Sequence, residues 1–176
     1  EGGGIAAFIK NGISFKIRHD LSFNDDVTKQ FDGLFIELLM ENFDKNVILC
    51  ILYRTPRFNS ASLLTAHLLS KVDIIKCEKK SILITGDLNI DLLQYQNNHD
   101  TTDFLDQMLL QNLIPKITQP TRIGQTSATL IDHIFTDIDN SQCLAGTFTT
   151  DITDHFSNFI VIDKKNLQKS PPQIGR

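Results

Sequence analysis

A single α/β domain in which strands outnumber helices is the fold class this sequence predicts, on three observations. Short β-branched and aliphatic runs crowd its first third, and two later stretches carry apolar residues at helical spacing. Asn11-Gly12, between two of the apolar runs, is a hairpin signal. The length agrees, because 176 residues with 41% hydrophobic and 22% charged side chains can bury one sizeable core.

In chain order, Ile5 to Ile9, Ile13 to Ile17, Leu34 to Leu39 and Val47 to Leu52 read as strands. Asn and Gly tolerate the positive φ of a two-residue turn, so the opening is expected to be antiparallel sheet. Ser60 is a capping residue for a helix with Leu63, Leu64, Leu68, Val72 and Ile75 on its apolar face. Lys71, Lys76, Lys79 and Lys80 crowd its C-terminal half, where the helix dipole favours cations. Ser81 to Thr85 reads as a short buried strand ended by Gly86. A second helix is expected from about Thr102, burying Phe104, Leu105, Met108, Leu109 and Leu113 and ending near Pro115. Leu130 to Phe135 and Phe156 to Ile162 are further strands, and Leu144 to Thr149 is a weaker one. Residues 1–163 are thus expected to form the domain, and Lys164 to Arg176, with Pro171-Pro172, a polar linker tail.

No apolar run reaches the roughly 20 residues that span a bilayer, and no basic start leads into an apolar core and cleavage site, so neither membrane insertion nor secretion is expected. Cys50, Cys77 and Cys143 are odd in number and lack zinc or disulfide spacing, which fits a reducing, intracellular setting. Cys50, inside an apolar run, reads as a small buried hydrophobe. Seventeen basic against 21 acidic residues give a formal charge of −4, which argues against binding nucleic acid through bulk positive charge. Any such contact must be local. Lys10, Lys16, Arg18, Arg54, Arg57 and Arg122 are its candidates, each set against the plainer reading of a solvated side chain.

Three segments carry chemistry. Gly86-Asp87-Leu88-Asn89 comes after a strand, and residues two apart in extended chain project together, so Asp87 and Asn89 are expected to point the same way. A carboxylate suits a hard cation or a phosphate-bound water, and an amide can donate to a phosphate oxygen. Asp91 continues the alternation or caps the segment after it. Asp132 is a carboxylate in an otherwise apolar strand, where burial without a partner is costly. Thr153-Asp154-His155 supplies a histidine poised near neutral pH, and Asp132 is expected to orient it, with His133 pointing the other way as a structural residue. Tyr53, at the end of its strand and before Arg54-Thr55-Pro56, could offer a phenolic donor. A base, a site for a divalent cation and donors for an oxyanion are the parts of a metal-assisted phosphodiester hydrolase.

These residues, in this order, resemble the endonuclease/exonuclease/phosphatase superfamily, and within it the endonuclease domain of non-LTR (LINE, jockey-like) retrotransposons. The resemblance runs from Gly2-Gly3-Gly4-Ile5-Ala6 through Leu52-Tyr53-Arg54-Thr55-Pro56, Gly86-Asp87-Leu88-Asn89, Pro120-Thr121-Arg122 and Ser127 to Phe135, to Thr153-Asp154-His155, where Thr replaces the family's Ser. It implies a DNase I-like fold of two packed, mostly antiparallel sheets flanked by helices, with the site at one edge. It implies that His155 is the base or phosphate-charge stabiliser, that Asp132 orients it, that Asp87 positions the water, and that Asn89 and Tyr53 hold the phosphate. Thr121 and Thr153 would support the site, and Asp154 would join a site for Mg²⁺ or Mn²⁺. The family's first Asn motif and its metal-binding Glu lie on strands ahead of the glycine-rich segment, so a domain lacking its first strands and its main Glu ligand is expected. By the same resemblance the parent protein would nick chromosomal DNA in the nucleus and carry a linked reverse transcriptase. A non-catalytic remnant and a phosphatase of the same fold are the alternatives.

Overall fold

A computed structural model describes residues 4–23, 30–40, 43–56, 61–149 and 152–163. Its main element is a six-stranded sheet in the order β1-β2-β3-β4-β8-β5. The strands are β1 Phe15–Ile17, β2 Phe31–Leu38, β3 Val47–Arg54, β4 Ser81–Asp87, β5 Ile114–Pro115 and β8 Asp132–Thr136. All neighbours are antiparallel except β3 and β4. That pair is joined by a crossover helix, α1 Ala61–Cys77, as parallel strands require. A second helix, α2 His99–Leu110, packs beside α1. Among the described residues there are also two ribbons, β6 Arg122–Ile123 with β7 Ala128–Thr129, and β9 Cys143–Phe148 with β10 Ser157–Ile162.

Strand alternation sorts the core. Ile48, Cys50 and Leu52 of β3 and Ile82 and Ile84 of β4 are at most 1% exposed and share a cluster with Leu64, Leu68, Val72 and Ile75 of α1. Burying each such side chain contributes about 1.5–3 kcal/mol. Phe104 of α2 meets Phe135 edge to face at 5.7 Å, so Phe135 and His133 face the helices. Asp132, one residue away, lies by alternation on the other face, where Asn158 of β10 donates to its carbonyl at 3.0 Å. The layers are therefore helices, six-stranded sheet and β9–β10 ribbon.

Several expected boundaries move, for local reasons. Ile5 to Ile9 is not a strand: Asn11-Gly12 does turn, with Ile13 N–H bonded to the Lys10 carbonyl at 3.2 Å and Gly12 at φ +93°, but β1 takes β2 as its partner. The run ahead of the turn pairs with no strand among the described residues, and Phe8 stands 99% exposed. α2 begins at His99 rather than Thr102, because the Asn98 side chain caps it by accepting from Thr101 N–H at 3.0 Å. The expected Ser60 cap and the Lys164 to Arg176 tail lie outside the described residues. β4 is not ended by Gly86 but runs through it to Asp87. Gly86 is at φ +137°, and a Cβ there would stand 1.8 Å from the Leu52 carbonyl oxygen, so only glycine allows β3 and β4 to stay paired to their ends. Among the described residues, no helix is long and apolar enough to cross a membrane.

Candidate active site

The sheet gathers its chemistry where β3 and β4 end and β8 begins. Register sets Tyr53 beside Asp87 and Asp87 opposite Asp132, so these three form a row on one face. His155 reaches the row from the segment before β10, which is tied down by Phe156 N–H on the Thr121 carbonyl at 2.7 Å. Its Nδ1 lies 3.1 and 3.0 Å from the two carboxylate oxygens of Asp132. A carboxylate only accepts, so Nδ1 carries a proton and donates to Asp132, which fixes the orientation of the ring.

Thr121 fixes Asp132 in turn. Its hydroxyl is fully buried, donates to Asp132 Oδ2 at 2.7 Å and accepts from the N–H groups of Ile131 and Asp132 at 3.2 and 3.0 Å. Thr153 shapes the approach, exchanging hydrogen bonds of 3.0 Å with the backbone of His155. One ligand atom from each of Asp87, Asp132 and His155 falls within 4.8 Å of the others. Burial raises the Asp87 carboxyl above its ordinary range; the Asn89 N–H opposes that rise and the Asp132 charge adds to it.

Asn89 is placed differently from the expectation. The strand ends at Asp87, and Asn89 sits at φ +49°, so alternation does not reach it. Its N–H bonds Asp87 Oδ1 at 3.0 Å and its side-chain amide donates to the Arg54 carbonyl at 2.7 Å. Arg54 answers from below, donating to the carbonyls of Leu88 and Asn89 at 2.6 Å each. At 7% exposure it is a buried clamp on this bend rather than a solvated side chain. The signal was present, since Arg54 continues the inward alternation of Ile48, Cys50 and Leu52. Asp91 caps the next turn, accepting from Leu93 N–H, and also ties it to Leu130 N–H. His133 is structural, with Nε2 donating to the Ile90 carbonyl at 2.8 Å and burial holding its pKa down to about 4.

Asp154 stands outside the cluster. Its carboxylate takes a 2.7 Å bond from Arg122 Nε, which holds it below the usual carboxylate range. The carboxylates of Asp87 and Asp132 converge with no lysine or arginine paired to either among the described residues. Hard oxygen donors of this kind fit Mg²⁺ or Mn²⁺, which bind through one or two carboxylates and keep several waters.

Searches by sequence match no family model and no curated protein. Comparison of folds matches the endonuclease domain of TRAS1, a telomere-specific non-LTR retrotransposon, at TM-score 0.63 and 12% identity over 86% of this chain. It also matches an endonuclease/exonuclease/phosphatase family protein from Leptotrichia buccalis C-1013-b, at TM-score 0.58 and 11% identity over 88% of the chain. The chain has the endonuclease/exonuclease/phosphatase fold. A third protein of this fold is a variant of β toxin from Staphylococcus aureus with bound magnesium ions, at TM-score 0.52 and 16% identity over 77% of the chain. The chain spans 68%, 62% and 58% of the lengths of these three.

Proposed function

We propose that this chain carries the catalytic centre of a metal-dependent phosphodiester hydrolase, the DNA-nicking endonuclease domain of a retrotransposon polyprotein. The observation that carries the reading is the Thr121–Asp132–His155 chain of hydrogen bonds, set beside Asp87 at the end of the sheet. Asp132 holds His155 in the tautomer whose Nε2 can take a proton or face a phosphate oxygen. Asp87, its carboxyl raised by burial, accepts from the attacking water and aims it at phosphorus. As the water oxygen bonds phosphorus its proton passes to His155 Nε2, the bond to the leaving oxygen breaks, and that oxygen takes up a proton from solvent water. Tyr53, beside Asp87 in the sheet register, would border the phosphate, while Asn89 shapes the bend that holds Asp87. A bound Mg²⁺, held by Asp87 and Asp132, would neutralise charge on the phosphate oxygens.

The retrotransposon assignment is supported by the stretch Pro120 to Phe135 and by the fold of the TRAS1 domain. It brings with it chromosomal DNA as substrate, action in the nucleus and a linked reverse transcriptase. One observation favours the second reading, a non-catalytic remnant: among the described residues no glutamate joins the cluster. Incubating the folded chain with supercoiled plasmid in Mg²⁺ or EDTA, beside His155→Ala, separates the two. Nicking that needs the metal and His155 is expected; an inert wild-type chain would leave the remnant.

A further inference from the structure

Arg122 stands directly opposite His155 in an antiparallel bridge. Residues facing each other in such a pair carry their side chains to the same side. The guanidinium therefore lies beside the imidazole that Asp132 orients. Its Nε donates to Asp154 Oδ2, and the terminal amines have no partner among the described residues, in a side chain 47% exposed. One carboxylate thus anchors the group by its base and leaves the donor fork pointing outward. A planar fork of N–H donors matches two oxygens of one phosphate, which a lysine does not.

The surroundings need such a group. Asp87, Asp91, Asp132 and Asp154 repel a polyanion, and the formal charge of −4 gives no long-range attraction. The other described arginines are committed elsewhere, Arg54 to the Leu88 and Asn89 carbonyls and Arg18 to acids at the far end of the sheet.

We propose that Arg122, aimed by Asp154, is a binding site for a backbone phosphate of a nucleic-acid strand at the rim of the cluster, an inference that rests on reading the site as a phosphodiester hydrolase. Asp154 is then a positioning residue, which accounts for its place outside the cluster formed by Asp87, Asp132 and His155.

The test is equilibrium binding of a fluorescently labelled DNA duplex in Ca²⁺ across a series of salt concentrations. Arg122→Gln is expected to weaken binding by about five- to tenfold near 0.1 M salt and to lower the log–log salt slope by about 0.9, the loss of one phosphate contact. Arg122→Lys keeps the charge and should keep the slope while binding less tightly. Thermal melting of each variant is expected to match the wild type, since the side chain is half exposed. Wild-type binding with an unchanged affinity and slope in Arg122→Gln would overturn this site and leave the hydrolase reading standing. A wild-type chain that does not bind duplex even at low salt would overturn the nucleic-acid substrate itself, and this site with it.

Discussion

At the Glu37 end of the six-stranded sheet, the carboxylates of Asp20, Glu37 and Glu78 each touch a permanent cation. Arg18 lies 2.7 Å from Asp20, 3.3 Å from Glu37 and 2.6 Å from Glu78, and Lys80 lies 2.8 and 2.7 Å from Glu37 and Glu78. At the Asp87 end, Asp132 is bonded by a hydroxyl and an imidazole, and Asp87 accepts from a backbone N–H. The acids respond in opposite directions. Hydrogen bonds from Arg18 hold Asp20 and Glu78 down to about 2, while burial lifts Asp87. For Glu37, burial pushes upward, yet Lys80 and Asn46 outweigh it and leave the carboxyl lowered. Matched charges tie β1, β2 and the end of α1 together; the raised carboxyl of Asp87 costs stability and is the kind of group a site keeps for what it binds.

The largest way to break this contrast is at Asp132. Asp132→Asn would keep the shape but release the tautomer of His155, and nicking should fall by about 10²–10⁴-fold with little change in melting temperature. A variant that nicks at the wild-type rate would remove Asp132 from the chemistry. Glu37→Gln tests the other end. It leaves Arg18 and Lys80 short of a buried partner, and chemical denaturation should show a loss of about 2 kcal/mol with nicking of the remaining folded protein unchanged.

Asp87→Asn sharpens the comparison by its sign. A carboxyl whose folded pKa is raised costs stability when ionised, so neutralising it should raise the melting temperature at pH 7 by about 1–3 °C while lowering nicking. A lower melting temperature would mean that the Asp87 charge supports the fold. The smallest expected effect is in acid. Asp20 and Glu78, with pKa values lowered to about 2 from 3.8 and 4.5, contribute stability that is full above those ordinary values and is lost as pH falls toward 2. Melting curves between pH 5 and 2 should therefore drop less steeply for Glu78→Gln than for the wild type.

The Asp132–His155 partnership was legible in the sequence because an acid inside Leu130 to Phe135 had to find a partner, and the strand alternation that turns His133 inward turns Asp132 outward. Helix periodicity likewise placed α1, and β-branched runs placed β3, β4 and β10. What stayed hidden depends on pairing across the fold. Asn11-Gly12 specified a turn but not that β1 would choose β2. Nothing local in Asn89 indicates that its amide is committed to the Arg54 carbonyl. The ion pair of Arg122 with Asp154 joins residues 32 positions apart, through a ribbon of two-residue strands too short to show periodicity.

The most direct test of the contrast is Mn²⁺ binding at pH 7, monitored by electron paramagnetic resonance, in the wild type, Asp87→Asn and Glu37→Gln. One saturable site that survives in Glu37→Gln and disappears in Asp87→Asn is the expected result. A site that persists without Asp87, or vanishes without Glu37, would contradict the assignment of the cation to the unmatched end of the sheet.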